Sequence, residues 1–252
     1  MMIETLMSQL RQLKLTGMAQ ALLSQQEQLG NYGDLSFEER LQYIVDHESQ
    51  HREQRKQQRL LRNAKLKLNA QATEIDYQHS RGLKRSTMTS LLHCEWIGKG
   101  QNVLITGPCG CGKTYLACAL GQSACLKGYS VRYFRISRLL MDLAQAKADG
   151  TYQKMLKWLS NSQLLILDDW GLEPLTAANR SDLMEIMDDR HGMNSTVLLS
   201  QLPTEQWHNA IGDNTLADAI LDRLMHNAHR LKLNGESMRK KEEILTDVDH
   251  LE

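Results

Sequence analysis

NVLITGPCGCGKT, residues 102–114, is the stretch on which the fold turns. Its first part reads as a buried strand, Gln101–Thr106, and the apolar pattern resumes as a helix over Lys113–Leu126. Between them Gly107-Pro108-Cys109-Gly110-Cys111-Gly112-Lys113-Thr114 satisfies G-x-x-x-x-G-K-T in its required strand–loop–helix setting. Glycines let backbone N–H groups turn inward around phosphate oxygens, and the helix N-terminus adds the positive end of its dipole at the same point. Lys113 supplies a point charge to the β- and γ-phosphates, the Thr114 hydroxyl is a Mg²⁺ ligand, and Tyr115 follows at the nucleotide. The two loop cysteines read as small fillers.

Outward from this loop, strands and helices alternate. Strands are expected at Val131–Ile136, Leu164–Leu167, Thr196–Ser200 and Arg230–Leu233. Helices are expected at Ser137–Ala146, Tyr152–Ser160, residues 176–191, and in short pieces over 204–210 and 215–228. This order implies an α/β domain with a parallel sheet flanked by helices. The strand Leu164-Leu-Ile-Leu167 is apolar throughout and ends in Asp168-Asp169. Such a pair suits a Walker B element, with Asp168 holding Mg²⁺ and Asp169 polarising the attacking water. No N-K-x-D guanine motif is present, so ATP is favoured over GTP. Gln201, or Ser200 before it, ends the next strand and is placed to sense the γ-phosphate. Arg223, late on a helix, is a candidate arginine finger acting in trans.

Upstream lies a different kind of sequence. The first 35 residues read as short helices, and Ser36-Phe-Glu-Glu39 is a capping box that starts another. From Asp46 to Arg59 no apolar residue occurs. Arg52, Arg55, Arg59 and Arg62 nevertheless step by helical intervals down one side, with Lys56 beside them. Residues 52–85 hold ten basic and three acidic side chains, although the 30 basic and 30 acidic residues of the whole chain balance. A uniformly basic nucleic-acid protein is excluded, while a locally basic surface that follows a phosphate backbone is not. A small all-helical domain is therefore expected over 1–66, and the ATPase domain with its linker over 67–252. The 66–95 stretch reads as that linker, with short elements. Aromatics at 5% argue against a base-stacking sheet. No apolar run reaches the roughly 18 residues of a membrane span, and the N-terminus lacks a secretory signal, so no membrane partner and a cytoplasmic location are expected. Five cysteines, bunched between 94 and 125, are no disulfide framework.

LDDWGLEPL (167–175), SQLPTEQW (200–207), ADAILDRLMHNAHRLKLNGESMRK (217–240) and SFEERLQYIVDHE (36–48) together resemble IstB, the transposition-helper ATPases of bacterial insertion sequences. These are relatives of DnaC and DnaA within the AAA+ class, and the resemblance runs from about residue 5 to residue 241. It implies an AAA+ module behind a helical N-terminal domain, with ATP and Mg²⁺ as cofactors. It further implies double-stranded DNA, a transposase and further copies of the chain as partners. By position, Lys113 and Thr114 match Walker A, and Asp168 and Asp169 match Walker B. Gln201 matches sensor 1, Arg223 the box VII finger, and Arg239 a sensor-2-like residue. The second acid is Asp where most AAA+ proteins carry Glu, and its shorter reach implies slow hydrolysis. Sensor 1 is Gln or Ser where many relatives have Asn. Only 19 residues follow Leu233, so enclosure of the nucleotide by a neighbouring subunit is expected.

Three functions compete at this point. A DNA-binding ATPase that delivers a transposase is favoured by the basic stripe. A DnaC-like helicase loader shares the class but would use its N-terminal region to dock a helicase. A small-molecule kinase is opposed by the paired acids, the polar basic helix and the in-trans finger.

Overall fold

The structure, a computed structural model, describes residues 2–238, and its chain falls into two compact units that meet at Arg59 and Leu60. The first unit holds α1 (Met2–Gln12), α2 (Thr16–Glu27), α3 (Leu29–Tyr32) and most of α4 (Phe37–Ala64). The capping box closes as read: the Glu39 N–H donates to the Ser36 hydroxyl at 3.2 Å, and the Ser36 N–H to the Glu39 carboxylate at 2.7 Å. α4 then continues through the wholly polar stretch for 28 residues. Its contact with α2 includes polar pairs. Glu48, only 5% exposed, accepts the Met18 N–H at 3.0 Å and the Arg52 guanidinium at 2.7 Å. Gly17 is required here, because a Cβ would come within 2.9 Å of the Glu48 Cα.

The expected boundary at 66 falls seven residues beyond the meeting point of the units. Leu60, Leu61 and Leu66 pack against the core of the second unit, which draws the end of α4 into it. The stretch read as a linker is likewise built into that core. It forms α5 (Arg85–Leu92) and buries Ala70, Ile75, Met88 and Leu91, and α6 (Glu95–Gly98) follows at its end with Trp96 and Ile97 buried.

The rest of the second unit is a parallel sheet between helices. Its strands are β1 (Asn102–Thr106), β2 (Val131–Arg135), β3 (Leu164–Trp170), β4 (Ser195–Ser200) and β5 (Ala228–Lys232), in the spatial order β2-β3-β4-β1-β5. The last strand starts two residues earlier than expected. β3 runs three residues further than expected, because the acids still belong to the strand. The helices are α7 (Lys113–Leu126), α8 (Ile136–Ala148), α9 (Tyr152–Ser160), α10 (Ala177–Arg190), α11 (Trp207–Ile211) and α12 (Asn214–Met225). One apolar cluster forms around α7 and one face of the sheet, another around α8–α12 and the opposite face. β1, β4 and the first five residues of β3 are buried, as parallel strands covered on both faces must be. α7 buries Ala117, Cys118, Ala119, Gly121, Ala124 and Cys125, small residues that let it lie close to the sheet. Buried Asn102 ties the layers together. Its amide donates to the Arg223 and Leu224 carbonyls at the end of α12 and accepts the Thr196 N–H of β4.

Candidate nucleotide-binding site

The sheet order brings the two phosphate-handling segments to one edge. β4 lies between β1, which feeds the glycine loop, and β3, which carries the acids. A cleft of about 1260 Å³ opens there, lined by Cys109, Gly110, Gly112, Lys113, Thr114, Tyr115, Asp168, Asp169 and Gln201. Gly107, Gly110 and Gly112 take φ of 151°, 80° and 90°, a region that side chains rarely enter. A Cβ on Gly107 would come within 2.5 Å of the Leu233 carbonyl oxygen. The Lys113 ammonium is folded into the loop, donating to the Gly107 carbonyl at 2.6 Å and the Pro108 carbonyl at 2.7 Å. Cys111 is buried and Cys109 exposed.

Thr114 and Asp168, 54 positions apart in the chain, are in direct contact. The Thr114 hydroxyl donates to Asp168 Oδ2 at 2.9 Å. Asp168 is 2% exposed and also accepts the Tyr133 hydroxyl at 2.6 Å and the Asp169 N–H at 2.9 Å. Burial, then the bond to Asp168, push the Tyr133 hydroxyl well above its ordinary pKa, so it is a lasting donor. Asp169 has φ of +65°, a conformation that costs a non-glycine residue about 1 kcal/mol or more, and it sits at the register shift between β3 and β4. That twist sends the two neighbouring carboxylates to different partners. Asp169 pairs with Arg135 at 3.2 Å, with both side chains partly exposed.

At the end of β4 the structure separates the two sensor candidates. The Ser200 hydroxyl is buried, donates to the Trp170 carbonyl and accepts the Leu202 N–H, so it is occupied with the backbone. Gln201 is exposed and lines the cleft. Arg223 lies outside that lining. Its guanidinium is held by Asp188 at 2.6 Å and by the Ala219 carbonyl at 3.0 Å. Arg239 lies outside the described residues. The residues before it do reach the loop: the Met238 N–H donates to the Gly110 carbonyl at 3.1 Å, and a Cβ on Gly110 would strike Ser237.

A family model described as IstB-like ATP binding protein matches residues 8–246. The chain belongs to this family. An insertion sequence ATP-binding protein of Sinorhizobium fredii is 46% identical over 240 residues, covering 95% of this chain and 98% of that protein. The ATP-binding protein of insertion sequence IS21 from Pseudomonas aeruginosa is 32% identical over 240 residues, covering 95% and 89%. Among solved structures, DnaI superposes with a TM-score of 0.55 at 19% identity, over 70% of this chain and 93% of that one. AMPPCP-bound DnaA from Aquifex aeolicus gives 0.56 at 19% identity, over 70% and 54%. The IstB-like chain thus belongs to an ATP-binding family, shares its fold with DnaI and DnaA, and is similar over nearly its whole length to ATP-binding proteins of insertion sequences.

Three residues of this IstB-like site escaped sequence reading. Tyr133 and Arg135 alternate along β2, so they share one face of the sheet and reach Asp168 and Asp169 respectively. Their polar character in the strand VRYFR was a readable signal. Arg81 had none, because it stands in the basic run as one cation among ten. It is 2% exposed, and its Nη1 donates to the Cys111 carbonyl at 3.0 Å and its Nη2 to the Asp76 carbonyl at 2.8 Å. It braces the glycine loop at the wall of the cleft and is no surface charge.

The basic stripe is more varied than its spacing suggested. Arg55, Lys56, Arg59 and Arg62 are exposed, and Lys56 lies 4.0 Å from Glu53. Arg52 is exposed too, but its guanidinium belongs to Glu48.

Proposed function

We propose that this chain is an ATP-dependent, DNA-binding regulator. It assembles with further copies of itself on double-stranded DNA, selects or remodels the target site, and recruits a transposase to it. The observation that carries the reading is the coexistence of a complete phosphate cleft with a long helix whose exposed cations have no core to face. Its insertion-sequence relatives support the transposase as partner.

ATP enters the cleft with its phosphates in the glycine loop. Mg²⁺ fits the oxygen donors that meet there, since a hydroxyl and a carboxylate suit a hard cation. Thr114 and Asp168 would hold it, and it would neutralise charge building on the β- and γ-phosphates. Lys113 leaves the loop carbonyls for the phosphates. Asp169 orients the attacking water once Arg135 releases it, and Gln201 reads the γ-phosphate. Arg223 serves a neighbouring subunit. Its exchange of Asp188 for a phosphate costs little, because an exposed ion pair contributes only about 0–1 kcal/mol. ATP thereby couples occupancy of one subunit to its contact with the next, and Arg239 keeps the sensor-2-like role that the family resemblance implies.

The test is duplex affinity across a salt series with Arg55, Arg59 and Arg62 changed to Ala and Arg52 left in place. If all three face phosphates, the slope of log K against log[salt] flattens by about 2.7, at about 0.9 per contact. Unrelated duplexes should lose affinity alike, because phosphate contacts carry no base information. An unchanged slope and affinity in the folded variant would remove the helix from the DNA interface and favour a protein partner for it.

A further inference from the structure

We infer that Tyr133 is a positioning residue for the divalent cation of the nucleotide, acting through Asp168. The inference rests on the reading of Asp168 as a metal-holding residue. Asp168 is buried, and a carboxylate offers about four acceptor positions. Three are taken by protein donors. Oδ1 receives the Asp169 N–H, and Oδ2 receives both the Thr114 hydroxyl and the Tyr133 hydroxyl. Acceptor capacity remains on Oδ1, for the hydration shell of a cation.

The Tyr133 contact differs in kind from the other two. Thr114 sits at the start of α7 and would itself ligate the cation, so its hydroxyl answers to two partners. Asp169 lies in a strained stretch at a register shift, where its N–H is only as fixed as that bend. Tyr133 comes from β2, paired in regular register with β3 at Ile166, two residues before Asp168. Its ring packs against the apolar cluster around α7. The hydroxyl therefore stands at a point set by sheet and core and independent of the loop. It holds the carboxylate plane in place before the cation arrives. Without it the carboxylate is free to turn between Thr114 and the Asp169 N–H, and the cation must order it on binding. Outer partners of metal ligands commonly govern 10–100-fold in metal affinity.

The experiment compares Tyr133→Phe with the wild type and with Asp168→Asn, using a fluorescent ATP analogue in equilibrium titrations with EDTA and over a Mg²⁺ series. Phenylalanine keeps the ring and its packing, so thermal unfolding should stay close to wild type. Analogue affinity in EDTA should be unchanged in Tyr133→Phe. The Mg²⁺ concentration that half-saturates the tightening of binding should rise about 10-fold or more, with saturating Mg²⁺ restoring full affinity. An equal loss in EDTA and in Mg²⁺ would overturn the inference and assign the hydroxyl to the loop. An unchanged Mg²⁺ midpoint in Tyr133→Phe beside a raised one in Asp168→Asn would overturn the inference alone. Unchanged midpoints in both would overturn the metal reading of Asp168, and the role of Tyr133 with it.

Discussion

Replacing Arg81 by methionine keeps most of the side-chain volume but removes the fork that joins the Cys111 and Asp76 carbonyls. Hydrogen bonds from a charged group each contribute about 1.5–3 kcal/mol, and both carbonyls lose their partner together. A loss of about 3–6 kcal/mol follows, a large share of the roughly 5–15 kcal/mol that holds a domain together. At 2–4 °C per kcal/mol for a domain of this size, the melting point should fall on the order of 10 °C. The functional loss should exceed the global one, because Cys111 lies inside the phosphate loop and Gly112 packs directly on the guanidinium. Thermal unfolding with and without ATP, beside equilibrium ATP titration, separates the two effects. Arg81→Lys is the informative companion. It keeps the charge, yet a single ammonium lacks the planar fork that spans two carbonyls, so it should recover only part of the loss. An Arg81→Met protein that melts within a degree or two of wild type and binds ATP equally well would refute the bracing role. Full rescue by lysine would show that charge, and not the fork, is what the loop needs.

Lys113→Ala should abolish ATP binding and ATP-driven assembly, and unchanged affinity in titration would dismiss the loop assignment. Asp169→Asn should still bind ATP but lose steady-state turnover, whereas hydrolysis near the wild-type rate would take Asp169 out of the chemistry. Arg223→Ala should bind nucleotide without assembling or hydrolysing it, and mixing it with Lys113→Ala should restore partial activity through interfaces that pair an intact loop with an intact arginine; if no mixture recovers, the in-trans role fails. Glu48 supplies a pH test. Burial works to raise its carboxyl pKa, but bonds from Arg52 and the Met18 and Gly17 N–H groups outweigh this and leave it lowered. A lowered folded-state pKa adds stability that is present above the ordinary carboxylate value and is lost as pH falls through the folded one. Helical-unit stability should therefore drop on acidification, and Glu48→Gln should blunt the drop; an unaltered acid profile for Glu48→Gln would show that the pairing is not what titrates.

The sequence alone sufficed wherever chemistry is written in adjacent residues. G-x-x-x-x-G-K-T determines its own backbone through its glycines. The capping box places the start of α4, and four apolar residues before Asp168-Asp169 identify a covered strand. The parallel sheet itself followed from the repeated strand–helix alternation, while the spatial order of its strands was set only by the folded structure. Contacts between distant residues were not legible. Nothing in the neighbours of Arg81 distinguishes it from the nine other cations of residues 52–85, and burial against Cys111, thirty positions away, is decided only when the chain folds back. Arg52 looked like one step of a free stripe until α2 brought two backbone N–H groups to Glu48 and claimed its partner. Ser200 and Gln201 are equivalent on paper. β4 ends at Ser200, whose buried hydroxyl is tied to the Trp170 carbonyl and the Leu202 N–H, and the chain leaves the sheet at Gln201, which is exposed in the cleft, a difference of one residue that only the strand's end in the folded sheet resolves. Tyr133 and Thr114 meet on a single oxygen of Asp168 because three separate segments converge at one sheet edge, and such convergence is a property of tertiary packing that no local pattern encodes.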